Sequence, residues 1–183
     1  MKLKPLNKSI VTKALSKKTM AVSNPVVLIL GTGPRIGTSV ATKFIDSGYK
    51  VAVVSRKGTT TVQGAFALIA DFAKPESIPA LFDAVKAEFH AAPSIVIYNA
   101  AALTPPPDAE SVLSIPAEKV DADLKVNVVS AYVAAQEAVK AWETLPKETK
   151  KTFIYTGNAT NVSIVPIPMM MNLGVGKAAS AYW

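Results

Sequence analysis

Val26-Val27-Leu28-Ile29-Leu30-Gly31-Thr32-Gly33-Pro34-Arg35-Ile36-Gly37 decides the fold. Five consecutive apolar residues read as a strand buried on both faces, and glycines then break the run. A helical pattern follows at once in Ile36, Val40, Ala41, Phe44 and Ile45. A strand that turns on glycines into a helix N-terminus presents backbone N–H groups with no partner of their own, suited to an anion such as a pyrophosphate.

The rest of the chain repeats that alternation. Gly48 ends the first helix, and Tyr49–Val54 forms a second apolar run stopped by Ser55-Arg56-Lys57-Gly58. A third run, Ala65–Ala70, ends at Asp71. Pro75 opens a helix whose apolar positions Ile78, Leu81, Phe82, Val85 and Phe89 keep a 3.6-residue period, and His90 stands at its end as a partner for the helix dipole. Ser94–Tyr98 is a fourth strand leading into Asn99-Ala100-Ala101, followed by a loop with three prolines. Ser114 and Pro116 start a long helix with Val120, Leu124, Val128, Tyr132, Val139 and Trp142 inward; Pro146 closes it, and Thr152–Thr156 is a fifth strand. Strands that alternate with helices and are apolar throughout predict an α/β fold: a three-layer, doubly wound parallel sheet in the order 3-2-1-4-5. No internal repeat and no second domain is legible, and 25–183 reads as one domain.

Composition narrows the chemistry. With no cysteine and one histidine in 183 residues, disulfides and a thiolate metal site are excluded, and there is little room for a His-based metal site or a Ser-His-Asp triad. No apolar run approaches the roughly 18 residues that span a bilayer. The net charge of +7 suggests nucleic acid until it is located. Residues 1–24 hold six lysines and no acid, and the remainder carries 14 basic and 13 acidic residues, so the basicity belongs to an extension and no nucleic-acid partner is expected. That extension reads as a disordered tail or an amphipathic helix with Leu6, Ile10, Ala14 and Leu15 on one face. A cytoplasmic location is expected, with mitochondrial import as the alternative.

In open α/β sheets a ligand lies outside the carboxyl ends of the strands, here strands one and four. The end of strand two then selects the nucleotide. A carboxylate there would suit the free ribose hydroxyls of NAD, but Ser55-Arg56-Lys57 stands in its place. A guanidinium binds a 2′-phosphate through paired hydrogen bonds, so the sequence favours NADP over NAD.

Taken together, Gly31-x-Gly33-x-x-x-Gly37, Arg56, Asp71, Asn99-Ala100-Ala101, Asn127 and Lys177 resemble the short-chain dehydrogenase/reductase family, from about residue 25 to the last. The resemblance implies a Rossmann-type domain and oxidoreduction of a carbonyl or alcohol. It implies that Asp71 meets the adenine amino group and Asn99 braces strand four. It also implies that Asn127 holds a water of a proton relay, and that Lys177 binds the nicotinamide ribose and lowers a tyrosine's pKa. The candidate cofactor site is thus Gly31, Gly33, Arg35, Ile36, Gly37, Ser55, Arg56, Asp71, Asn99, Ala100 and Lys177.

Three departures from the family pattern bear on catalysis. Arg35 replaces the middle glycine of the turn, where its side chain either obstructs the phosphates or helps to neutralise them. The acid tyrosine expected four residues before Lys177 is Leu173, and the family's serine falls on Asn158 or Thr160. The candidate catalytic set is therefore Asn127, Asn158, Thr160 and Lys177, without a tyrosine. Lastly, the family pattern continues past Trp183 with the parts that close its substrate pocket, so the domain reads as incomplete and its fifth strand as an uncovered edge. An oxidoreductase with a degraded centre is expected, acting on a small molecule if active. A non-catalytic nucleotide-binding protein and a fragment of a longer enzyme are the alternatives, with self-association through the long helix. Met169-Met170-Met171 fits either a flexible apolar pocket wall or core packing.

Overall fold

A computed structural model describes residues 24–183; the basic extension, except Asn24, lies outside the described residues. Five strands form one parallel sheet: β1 (Val26–Leu30), β2 (Lys50–Ser55), β3 (Phe66–Ile69), β4 (Ile95–Tyr98) and β5 (Thr152–Tyr155), in the order β3-β2-β1-β4-β5. That is the order expected from the sequence. β1 is central, with Val27 opposite Val51 of β2 and Ile95 of β4.

Alternation along β1 divides the core in two. Leu28 and Leu30 join Ile78, Leu81 and Val85 of α2 (Ile78–Phe89), and Ala131, Ala134 and Ala138 of α4 (Ser130–Trp142). Val27 and Ile29 face α1 (Ile36–Asp46) through Ala41, Val40 and Phe44. Each β1 side chain is buried because helices cover both faces, so the sequence shows an unbroken apolar run instead of alternation.

The long helix differs from its sequence reading. Pro116 occupies its N-cap, and Ser114 lies in a preceding 3₁₀ turn. α3 (Ala117–Leu124) then passes into a π-turn at Lys125–Val129 before α4 begins. The buried face runs through Asp123, Asn127, Ala131, Ala134 and Ala138, one residue before the expected positions, whereas Tyr132 and Val139, expected inward, are exposed.

The sheet edges are less covered than the centre. Among the described residues β5 pairs with β4 alone, and Ile154 is 41% exposed on it. α5 (Met171–Ser180) follows a long irregular segment and packs on the π-turn. An added Cβ at Gly176 would lie 2.6 Å from the Cβ of Asn127, so that crossing requires a residue without a side chain. Among the described residues, no helix is long and apolar enough to cross a membrane.

Candidate active site

The turn after β1 is shaped by three glycines with different jobs. Gly31 has φ +98°, and a Cβ there would lie 2.6 Å from the Cα of Ala100, because the end of β4 crosses directly above it. Gly37 brings the first turn of α1 against Thr32, whose Cα would be 2.7 Å from an added Cβ. Gly33 is the opposite case: nothing lies within 4 Å of where its Cβ would be. Two glycines thus pack protein on protein, and the middle one opens the turn outward.

α1 begins with Arg35 at its N-cap and no side-chain cap. Thr38 N–H and Oγ1 both donate to Gly33 O, each at 3.1 Å, and the amides of the preceding positions lack an intrahelical acceptor. Arg35 and Ile36 are exposed, so the guanidinium stands off the backbone instead of filling the space beside Gly33. Thr32 Oγ1 is buried without a hydrogen-bond partner among the described residues. The turn is open, polar and electropositive, as phosphate binding requires.

The other strand ends surround it. Asn99 Nδ2 donates to Gly31 O at 2.8 Å, and Ala100 N–H donates to Leu30 O at 3.0 Å, which locks β4 to the turn. After β2, Ser55 Oγ accepts from Gly58 N–H at 3.1 Å, leaving Arg56 exposed at the tip. Asp71 is exposed beyond β3, with Oδ1 accepting from Ala73 N–H. Arg56 and Asp71 therefore lie at the ends of adjacent strands on the rim of the turn.

The π-turn carries a hydrogen-bond network that the sequence does not announce. Its carbonyls are released from the ordinary helical ladder. Tyr98 Oη donates to Val126 O at 2.6 Å; Tyr155 Oη and Ser180 Oγ donate to Asn127 O at 2.9 and 2.8 Å. The Asn127 carboxamide brackets Ala102, donating to its carbonyl at 2.8 Å and accepting from its N–H at 3.0 Å. Asn127 is wholly buried, and its backbone carbonyl accepts from two hydroxyls of the protein. Burial pushes the Tyr98 hydroxyl well above the ordinary tyrosine range and raises that of Tyr155 as well, so both stay protonated and donate.

α5 places Leu173, Lys177 and Ser180 on its buried face. Lys177 is 3% exposed; its Nζ donates to Thr156 O at 2.7 Å and lies 4.1 Å above the centre of the Tyr155 ring. Burial brings its pKa down to about 8 from 10.5. Thr156, with Asn99, Ile36 and Gly37, lines a cleft of about 180 Å³ between α1 and the ends of β4 and β5. Lys177 does not line that cleft and meets it only through Thr156, and the remaining walls are the apolar side chains of Ile29, Val40, Phe44, Ile97 and Ile154. Of the two serine replacements, Asn158 Oδ1 accepts from Thr160 N–H at 2.9 Å and Oγ1 at 2.6 Å, and Asn161 Nδ2 ties this turn to Lys177 O at 2.8 Å.

Farther out, the segment after β5 and the adjacent face of α5 enclose a cavity of about 780 Å³, large enough for a drug-sized molecule. Met170 and Met171 line it together with Ile164, Val175 and Tyr182, which settles the methionine run as wall, although Met169 is outside the lining. Beside α5 lies a buried polar knot: the Asp123 carboxylate accepts from Thr104 N–H at 2.8 Å and from Asn172 Nδ2 at 2.6 Å. It pins α3, α5 and the loop after β4 together. Sequence reasoning missed Tyr98, Tyr155, Thr156 and Ser180. A tyrosine at the carboxyl end of both β4 and β5 is the one sequence signal that points to the hydroxyl pair.

The sequence pattern of the short chain dehydrogenase family matches residues 25–164. A short chain dehydrogenase/reductase of Cryptosporiopsis sp. (strain 8999), dmxR12, is 37% identical over 172 residues, covering 88% of this chain and 69% of the relative. The chain belongs to the short-chain dehydrogenase/reductase family. Solved structures share the fold: 3-ketoacyl-(acyl-carrier-protein) reductase from Brucella melitensis complexed with NADH, at TM-score 0.72 and 24% identity over 85% of this chain and 65% of that one. A short chain dehydrogenase from Burkholderia cenocepacia J2315 in complex with NADP gives TM-score 0.70 and 24% identity, over 86% and 64%. A short-chain dehydrogenase/reductase from Serratia marcescens BCRC 10948 gives 0.69 and 23%, over 85% and 66%. The chain spans about two thirds of the length of these proteins.

Proposed function

We propose that the chain binds NADP(H) across the carboxyl ends of β1, β2 and β4 and works on a neutral, largely apolar carbonyl or alcohol. The open space beside Gly33, at the uncapped start of α1, carries this reading: a pyrophosphate fits where a Cβ meets nothing, with unpaired amides and the orphaned Thr32 hydroxyl at hand. The exposed Arg35 then adds positive charge without occupying the cradle. Arg56 holds the 2′-phosphate, Asp71 the adenine edge, and Asn99 keeps β4 on the turn so that Ala100 walls the nicotinamide side. The apolar 780 Å³ cavity supports the substrate class, because a charged molecule there would lose hydration with little to replace it. When bound, a reduced nicotinamide supplies a hydride. The chain's own part is to hold the dinucleotide, exclude water and move one proton.

Arg56→Ala tests the nucleotide assignment. Loss of charge-assisted hydrogen bonds to a phosphate weakens NADP⁺ binding about tenfold or more, with NAD⁺ binding little changed, read by calorimetric titration of each. Equal weakening of both would place the 2′-phosphate elsewhere. A non-catalytic nucleotide-binding role is favoured by one observation, Leu173 at the position where the family pattern holds its acid. Saturable NADPH binding with no turnover of any carbonyl compound would select it.

A further inference from the structure

β5 presents a row of backbone groups at the sheet edge with no partner strand among the described residues. Its inner side is fixed by the ladder to β4: Thr152 N–H donates to Ser94 O and Thr156 N–H to Tyr98 O, each at 3.0 Å. Alternation turns the amide and carbonyl of Ile154 to β4 as well, and those of Phe153 and Tyr155 away from the sheet. Proteins ordinarily blunt such an edge with a charge, a proline or a bulge. Thr152–Gly157 contains no charge and no proline, and its register with β4 is unbroken. Side chains extend the apolar edge on both faces. Ile154 is exposed on the α1 side, and on the other side the half-exposed Trp183 ring lies 6.3 Å from that of Phe153 and 5.7 Å from that of Tyr132. Val139, two turns beyond Tyr132 on the same flank of α4, is exposed too.

We propose that a second copy of this chain pairs here, β5 against β5, antiparallel about a two-fold axis perpendicular to the sheet and centred on Ile154. Antiparallel strands exchange hydrogen bonds only between residues whose backbone groups face outward on both. Centring on Ile154 meets that condition. Phe153 stands opposite the partner's Tyr155, and Tyr155 opposite the partner's Phe153, each pair exchanging both of its N–H···O bonds. The two Ile154 side chains then meet on the α1 side and cover what each leaves exposed alone, while Thr152 faces the partner's Thr156.

Charge suits this occupant. Lys150 and Lys151, just before the strand, fall opposite the partner's Asn158 and the partner's Gly157, so no like charges oppose each other across the axis. Area requires more than the strand edge, because a standard interface buries roughly 800 Å² per partner. The two-fold supplies further area by bringing the α4 flank, with Tyr132, Val139 and Trp183, toward its own image. The symmetry also closes: an isologous contact uses each β5 once, whereas β5 on a β3 edge would propagate from copy to copy. The pairing is independent of the dinucleotide reading, whose site lies at the carboxyl ends of the strands.

Sedimentation equilibrium of the full chain across the micromolar range is expected to show monomer and dimer exchanging. Ile154→Lys sets two ammonium groups against each other on the axis and is expected to weaken the dimer about tenfold or more. The natural chain has no cysteine, so Ile154→Cys carries a single thiol. Directly opposed residues of a non-hydrogen-bonded pair have Cα atoms about 4.5 Å apart, within disulfide reach. This variant is therefore expected to form a cross-linked dimer under mild oxidation, and Ile69→Cys, exposed on the β3 edge, is not. In the natural chain the Phe153 and Tyr155 amides are expected to exchange with deuterium more slowly as the dimer forms. A monomer throughout the range overturns the proposal. So does a dimer that Ile154→Lys leaves intact, which would place self-association on the helices alone, or cross-linking no faster in Ile154→Cys than in Ile69→Cys. If the Ile154 variants do not fold, the concentration dependence of exchange at the two amides of the natural chain decides alone.

Discussion

Leu173→Tyr raises carbonyl reduction about 10²–10⁴-fold, the usual contribution of a well-placed general acid. Residues four apart on a helix are neighbours, so a tyrosine at 173 projects from the face that carries Lys177. The lysine ammonium, held at Thr156 O, then lies close enough to favour tyrosinate and draw that hydroxyl toward neutral pH. Leu173 is 7% exposed in a packed setting, so some repacking accompanies the larger ring. The gain is expected to shrink strongly in the Leu173→Tyr/Lys177→Met double variant, because the two groups act as a unit. Initial rates with NADPH and 1-phenyl-1,2-propanedione check it. An unchanged rate in a folded, NADPH-binding variant would show that the centre lacks more than a proton donor.

Gly31→Val has the largest expected effect on stability. The position needs φ +98°, which costs a β-branched residue on the order of 1–3 kcal/mol. The added side chain also drives into Ala100, with its Cα 2.6 Å and its Cβ 2.9 Å away, where overpacking typically costs about 1–3 kcal/mol more. Relief requires β4 to move off the turn, which breaks the Asn99–Gly31 and Ala100–Leu30 hydrogen bonds. A loss of about 3–5 kcal/mol is a large part of the total stability of an ordinary domain, so the urea midpoint falls steeply or the chain does not fold. Gly33→Ala is the contrast: its methyl enters open space, so the midpoint holds and only NADPH binding weakens. Equal midpoints for Gly31→Val and the natural chain would contradict the crossing of β4 over the turn.

The sheet was legible because its signals are local. The apolar runs beginning at Val26, Tyr49, Ala65, Ser94 and Thr152 each sit between breakers, and alternation with helices leaves few topologies. The turn was legible for the same reason, since Gly31, Gly33 and Gly37 announce themselves by type. Their separate duties were not, because what approaches Gly31 is Ala100, 69 residues away in the chain. The π-turn at Lys125–Val129 is made of residues equally at home in an α-helix, and the buried face of the long helix carries polar Asp123 and Asn127 and small alanines, so a period drawn through the larger apolar residues assigns Tyr132 and Val139 to the core. The hydroxyl network around Asn127 O depends on that same turn and was invisible with it. Lys177 was found through its family spacing, but its burial and its bond to Thr156 O are products of how α5 lies on the π-turn.

Titration of NADPH into the natural chain, followed by the enhancement and blue shift of nicotinamide fluorescence and repeated with NADH, tests the central claim most directly. The account predicts saturable binding of one dinucleotide per chain, tighter for NADPH than for NADH by about tenfold or more through Arg56, and lost in Gly31→Val. Absence of saturable binding up to millimolar NADPH would contradict it.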